Sequence, residues 1–124
     1  MLSVNLNKKE RIAILQPDGE LSAADFQAAS QIIDPFIESS GKLNGIIIYV
    51  QSFPGWDSFS ALITHLKFIQ EHHKLVLHVA LVTDSTIGGI AEYVTSHFVS
   101  AKVNSFAFGE LAAAEEWITL AENK

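Results

Sequence analysis

Cysteine is absent from the 124-residue chain. That excludes a thiolate nucleophile, a disulfide framework, a zinc-cysteine site and a cysteine-ligated iron-sulfur cluster. Charge is sparse as well, at 18% of residues against the quarter typical of soluble domains, while hydrophobic residues reach 48%. Basic charge is the scarcer sign: eight Lys and Arg face fourteen Asp and Glu, for a net charge of -6. Affinity for a nucleic-acid duplex rests on cations meeting phosphates, so no nucleic-acid partner is expected. Long hydrophobic runs are missing too. The longest, residues 46–50, is far short of a membrane span, and no basic stretch followed by an apolar run opens the chain. The expected location is cytoplasmic.

The length fits one domain over residues 1–124, with roughly two thirds of the unfolded surface available for burial. Leu2, Val4 and Leu6 alternate with polar residues, and Ile12 and Ile14 mark a second strand within 11–16. The polar stretch 7–10 between them suits an antiparallel hairpin. Pro17-Asp18-Gly19 is a turn signature, after which Ser22 and Asp25 form the two halves of a capping box. Phe26, Ala29, Ile33, Phe36 and Ile37 follow at helical spacing, Asp34-Pro35 predicts a kink or boundary, and Ser39-Ser40-Gly41 ends the helix. The β-branched run 45–50 and its echo at 75–82 read as strands buried on both faces, the mark of a parallel sheet. Helices are predicted over 58–72 and 85–98, a last strand over 103–108, and a closing amphipathic helix over 109–122 with Leu111, Ala114, Trp117, Ile118 and Ala121 inward. The expected fold class is therefore α/β: a mainly parallel five-stranded sheet with an antiparallel N-terminal strand, right-handed crossovers and four helices.

Several segments are more specific. Residues 19–26 (GELSAADF), Phe53-Pro54-Gly55-Trp56, Leu66-Lys67-Phe68, 79–84 (VALVTD) and Ala114-Glu115-Glu116-Trp117 resemble the SpoIIAA-like family, from about Leu2 to Trp117. That family is similar to STAS domains and, more loosely, to CRAL-TRIO lipid-carrier domains. The resemblance implies a SpoIIAA/STAS-like fold and a non-enzymatic binding or regulatory role. Phosphoswitch STAS proteins start the helix after the buried strand with Asp-Ser-Ser-Gly or Asp-Ser-Thr-Gly, whose second hydroxyl accepts the phosphate. Here the stretch is Asp57-Ser58-Phe59-Ser60, with Phe59 at the acceptor position and Ser60 at the glycine. A phosphoserine switch is thus not implied. His65 stands where many members carry an acid, and Thr86 and Ile87 where many carry a tryptophan.

Segment 52–57 follows a central strand at its carboxyl end, where open α/β sheets bind ligands. Phe53 and Trp56 within it read either as an apolar lip over a pocket, or a membrane-touching tip, or as caps folded back on the core. In the next helix Phe59, Leu62, Ile63, Leu66 and Ile69 share one face at about 100° per residue. Phe68 lies nearly opposite, with Ala61, His65 and His72, and reads as an interface residue or as an isolated exposed ring. The five histidines lack converging acids, so solvated or capping histidines are expected and no metal is assigned. Asp57 and Asp84, with Ser58 and Ser85 beside them, are the catalytic candidates. Without a nucleophile elbow or a fixed His-Asp spacing, Asp57 and Ser85 read better as helix N-caps, with Asp84 next to the cap, and no catalytic residue and no cofactor are assigned. Residues 83–89 could form an anion nest but lack a P-loop lysine.

The expectation is a non-enzymatic domain for an apolar or lipid-like small ligand, with transient contact to a membrane surface, peripheral at the inner membrane. Phe53, Trp56, Phe59, Ile63 and Phe68 would line the site, with Tyr93 and His97 as polar contacts. The alternative is a STAS-type interaction or regulatory module acting as a homodimer.

Overall fold

The computed structural model describes residues 2–19, 22–51, 75–84, 92, 95–96 and 101–122. Strand β1 (Leu2–Asn7) turns back into β2 (Ile12–Pro17), with Leu2 opposite Pro17 and Asn7 opposite Ile12. The turn is built from side chains suited to it: Asn7 Oδ1 accepts the Glu10 N–H at 3.2 Å, and Arg11 takes a left-handed φ of 57°. Helix α1 (Ala23–Ser40) follows, then β3 (Gly45–Tyr49), β4 (His78–Val82), β5 (Lys102–Phe106), a 3-10 turn (Phe108–Glu110) and helix α2 (Leu111–Glu122). The sheet order is β1-β2-β3-β4-β5, antiparallel at the first pair and parallel at the other three.

Ile46, Ile47 and Ile48 alternate between two cores, as the period-two geometry of a strand requires. On one face Ala13, Leu15, Ile46, Ile48, Val79 and Leu81 meet Phe26, Ala29, Ile33 and Ile37 of α1. On the other, Ile12, Ile47, Ala80 and Val82 meet Ala114 and Ile118 of α2, with Tyr49, Phe106 and Trp117 partly buried beside them. Both faces of β3 and β4 are covered, which is why these strands read as unbroken apolar runs.

The mixed five-stranded α/β sheet agrees with the sequence, and so does the capping box. Ser22 Oγ accepts the Asp25 N–H, and Asp25 Oδ2 accepts the Ser22 N–H at 2.8 Å. Gly41, at φ 86°, closes the helix in the left-handed region. Pro35 falls inside α1, which runs on to Ser40 and the expected Gly41 stop; Ile33 and Ile37, both buried, hold the turns on either side of the missing N–H. Several strand and helix ends differ from expectation, among them that of β2, which runs through Pro17. The strand expected over 75–82 enters the ladder only at His78, although Val76 bridges Leu43 ahead of it. The last strand is Lys102–Phe106 rather than 103–108. The closing helix begins at Leu111 because Phe108 to Glu110 coil more tightly. Two α-helices lie among the described residues. The helix expected over 58–72 lies outside them, and of that expected over 85–98 only Glu92, Thr95 and Ser96 are described, all helical.

At the amino end of the sheet Asn44 joins three segments. Its side-chain amide donates to Glu10 O at 2.8 Å, its backbone N–H to Arg11 O at 2.9 Å, and its own carbonyl accepts from His78 Nδ1 at 2.8 Å. His78 is 7% exposed and stands edge-on to Trp117. It is a buried, bonded histidine, so the expectation of a solvated one is corrected here: the Asn44 carbonyl can only accept, which places the ring proton on Nδ1. Gly45 follows because α2 lies close; a Cβ there would come within 2.5 Å of Ile118 Cδ1.

Three outcomes follow for urea unfolding. Asn44→Ala is expected to cost about 1–3 kcal/mol, because the Glu10 carbonyl loses its donor; an unchanged midpoint would contradict the clamp. Gly45→Ala is expected to cost about 1–3 kcal/mol by overpacking, and less in an Ile118→Val background. Donation from the Ser22 backbone N–H, aided by its hydroxyl, holds the Asp25 carboxyl below its ordinary range. That stabilisation is present above the unfolded carboxyl's pKa and is lost as pH falls through the lowered folded value. The midpoint difference between wild type and Asp25→Ala should therefore shrink between neutral pH and about pH 2; a constant difference would contradict it.

Candidate functional site

The carboxyl ends of β2, β3 and β4 are where the chain leaves the sheet, and a cleft opens there. It has a volume of about 420 Å³ and, among the described residues, is lined by Ser3, Gln16, Pro17, Asp18, Gly19, Tyr49, Val50, Gln51 and Phe108. Each residue is placed by a local rule. Ser3 lies opposite Gln16 because β1 runs antiparallel to β2. Gly19 takes a φ of 68°, so the turn into α1 swings the chain away from the strand end. Tyr49 falls on the same face as Ile47 and Phe106, the face that α2 covers.

Aromatic stacking gives the cleft its apolar wall. The rings of Tyr49 and Phe108 lie 4.6 Å apart and within 7° of parallel. Behind them Phe106 packs against Trp117 at 5.9 Å, which carries the aromatic layer back to His78. The polar groups are amides, a hydroxyl and one carboxylate: Gln16, Gln51, Ser3 and Asp18. Asn5 Nδ2 donates to Gln16 Oε1 at 3.3 Å, which orients that amide from the neighbouring strand.

Hydrogen bonds lock the strand ends beneath this surface. The Val50 N–H donates to Val82 O and the Thr83 N–H to Phe106 O, extending the ladders by one residue each. Gln51 O accepts both the Asp84 N–H at 3.0 Å and Thr83 Oγ1 at 3.2 Å. Asp84 Oδ1 accepts the Phe108 N–H at 3.0 Å. Asp84, a catalytic candidate in the sequence, thus holds a backbone amide 24 residues away. Asp57, Ser58 and Ser85 lie outside the described residues. No group of three metal-ligating side chains occurs among the described residues.

The family model described as SpoIIAA-like matches residues 12–119. The chain belongs to the SpoIIAA-like family. No curated protein and no solved structure matches the sequence. SpoIIAA-like membership supports a non-enzymatic regulatory or interaction module and agrees with the mixed five-stranded sheet. Among the described residues no helix is long and apolar enough to cross a membrane.

Within this SpoIIAA-like chain Phe53, Trp56, Phe59, Ile63, Phe68, Tyr93 and His97 all lie outside the described residues. Gln51, the last described residue before segment 52–57, lines the cleft. Sequence reasoning missed Tyr49 and Phe108. Tyr49 looked like one more residue of a buried run, and Phe108 like the end of a strand. The available signal was position: both stand just where a parallel strand runs out.

Proposed function

We propose that the chain, as a single domain over residues 1–124, is a non-enzymatic module that binds a neutral apolar or lipid-like small ligand at the carboxyl end of its sheet. The observation that carries this reading is the open cleft whose lining joins the stacked Tyr49 and Phe108 rings to Gln16 and Gln51. Stacked rings offer apolar area at little entropic cost, and amides donate and accept, which suits a hydroxyl or amide head on an apolar body. Asp18 on the rim and a net charge of -6 disfavour an anionic head. In this proposal segment 52–57 and the residues beyond it supply the remaining wall: Phe53, Trp56, Phe59, Ile63 and Phe68 meet the ligand or a membrane surface, with Tyr93 and His97 as polar contacts. The domain is cytoplasmic and touches the inner membrane transiently, through apolar insertion rather than charge.

Family membership favours a second reading, a STAS-type protein interaction module working as a homodimer without a phosphoserine switch. Native mass spectrometry of the full chain purified without detergent separates the two. A retained neutral lipid-like mass on a monomer supports the ligand reading, and a ligand-free dimer the second. The neutral fluorescent probe N-phenyl-1-naphthylamine tests the cleft itself. Tyr49→Ala is expected to weaken its binding about three- to tenfold; equal binding by wild type and Tyr49→Ala would contradict the assignment.

A further inference from the structure

Phe108 lies beyond the last ladder bond of the sheet. The Thr83 N–H reaches Phe106 O, β5 is an edge strand, and no strand continues past Phe106 to fix the backbone that carries the Phe108 ring. Two side chains take over. Glu110 Oε1 accepts the Ala107 N–H at 2.9 Å, which closes the 3-10 turn on itself. Asp84 Oδ1 accepts the Phe108 N–H at 3.0 Å, which ties that turn to the end of β4. Asp84 is itself anchored, since its backbone N–H and the neighbouring Thr83 hydroxyl both donate to Gln51 O. One residue therefore links Gln51 on the cleft rim to Phe108 in its wall.

We propose that Asp84 is the positioning residue of the carboxyl-end cleft: by holding the Phe108 N–H it sets the Phe108 ring against Tyr49 and so shapes the aromatic wall that the ligand meets. The inference rests on the reading of this cleft as the ligand site. A stack at 4.6 Å and 7° tolerates little rotation of the backbone that carries one of its rings. A carboxylate-to-amide bond is stronger and more directional than a neutral one, so it suits an exposed position where a plain turn would fray. The same bond gives the carboxylate at the carboxyl end of this parallel strand a structural task.

The test uses the full chain and reads the Tyr49 ring protons by NMR. Asp84→Ala is expected to move them toward their positions in Phe108→Ala, and to weaken N-phenyl-1-naphthylamine binding about three- to tenfold. Asp84→Asn keeps the acceptor oxygen and should leave the ring protons near their wild-type positions. A lower unfolding temperature with unmoved Tyr49 resonances in Asp84→Ala would mean a purely structural cap and would overturn the proposal. The wild type gives an independent check. Its Phe108 N–H should exchange with deuterium at least about tenfold more slowly than an unprotected amide; exchange at the unprotected rate also overturns it. Ring protons that respond to Asp84→Ala, with probe binding indifferent to Tyr49→Ala, would uphold the positioning and overturn the ligand reading alone.

Discussion

Burial of both faces of β3 and β4 governs the architecture. Ile46, Ile47, Ile48, Val79, Ala80, Leu81 and Val82 are at most 1% exposed, so no water reaches their backbone amides and carbonyls. Each such group must find its partner in the sheet, because an unpaired one costs about as much as a lost hydrogen bond. Parallel pairing on both sides of β3 and β4 meets that demand. It also obliges the chain to leave β2, β3 and β4 at one common end. The cleft lies at that end because the ladders stop there.

The two ends of the sheet meet the same demand with different chemistry. At the amino end Asn44 serves three segments from a site 7% exposed, and His78 and Trp117 fill the space around it. That end is tightly packed and hydrogen-bonded, with Gly45 set against Ile118 and no room there for a side chain. At the carboxyl end Thr83 and Asp84 gather the strand ends at Gln51 and Phe108, but Gln51 and Asp84 remain exposed and an open cleft stands above them. An open, polar and aromatic rim on rigid strands suits the binding role proposed for this end, and the Asp84 carboxylate there holds the Phe108 amide.

Much of the fold was legible because local and global signals agree. The Ser22 and Asp25 capping box, the Gly41 stop, the 3.6-residue spacing of α1 and the β-branched runs of β3 and β4 all follow from short-range rules. The family resemblance was legible through Phe53-Pro54-Gly55-Trp56 and its companion segments. The site was less legible, because its parts are assembled across strands. Tyr49 and Phe108 are 59 positions apart in sequence and meet only because β3 and β5 flank β4. His78 was misread for the same reason: its partner is a backbone carbonyl just ahead of β3, which no spacing rule reveals. Pro35 lies inside α1, where the burial of Ile33 and Ile37 offsets one lost helical bond, and the helix reaches its expected stop at Gly41.

The central claim is that the carboxyl end of the sheet is the binding surface. The most direct measurement is a two-dimensional amide NMR titration of the full chain with 1-octanol, a neutral amphipath, read residue by residue. The account predicts saturable shifts concentrated at Gln16, Gly19, Gln51 and Phe108, with Asn44, Gly45 and His78 at the opposite end unmoved. Shifts centred on the amino end, or on the outer face of α2 around Leu120, would contradict it.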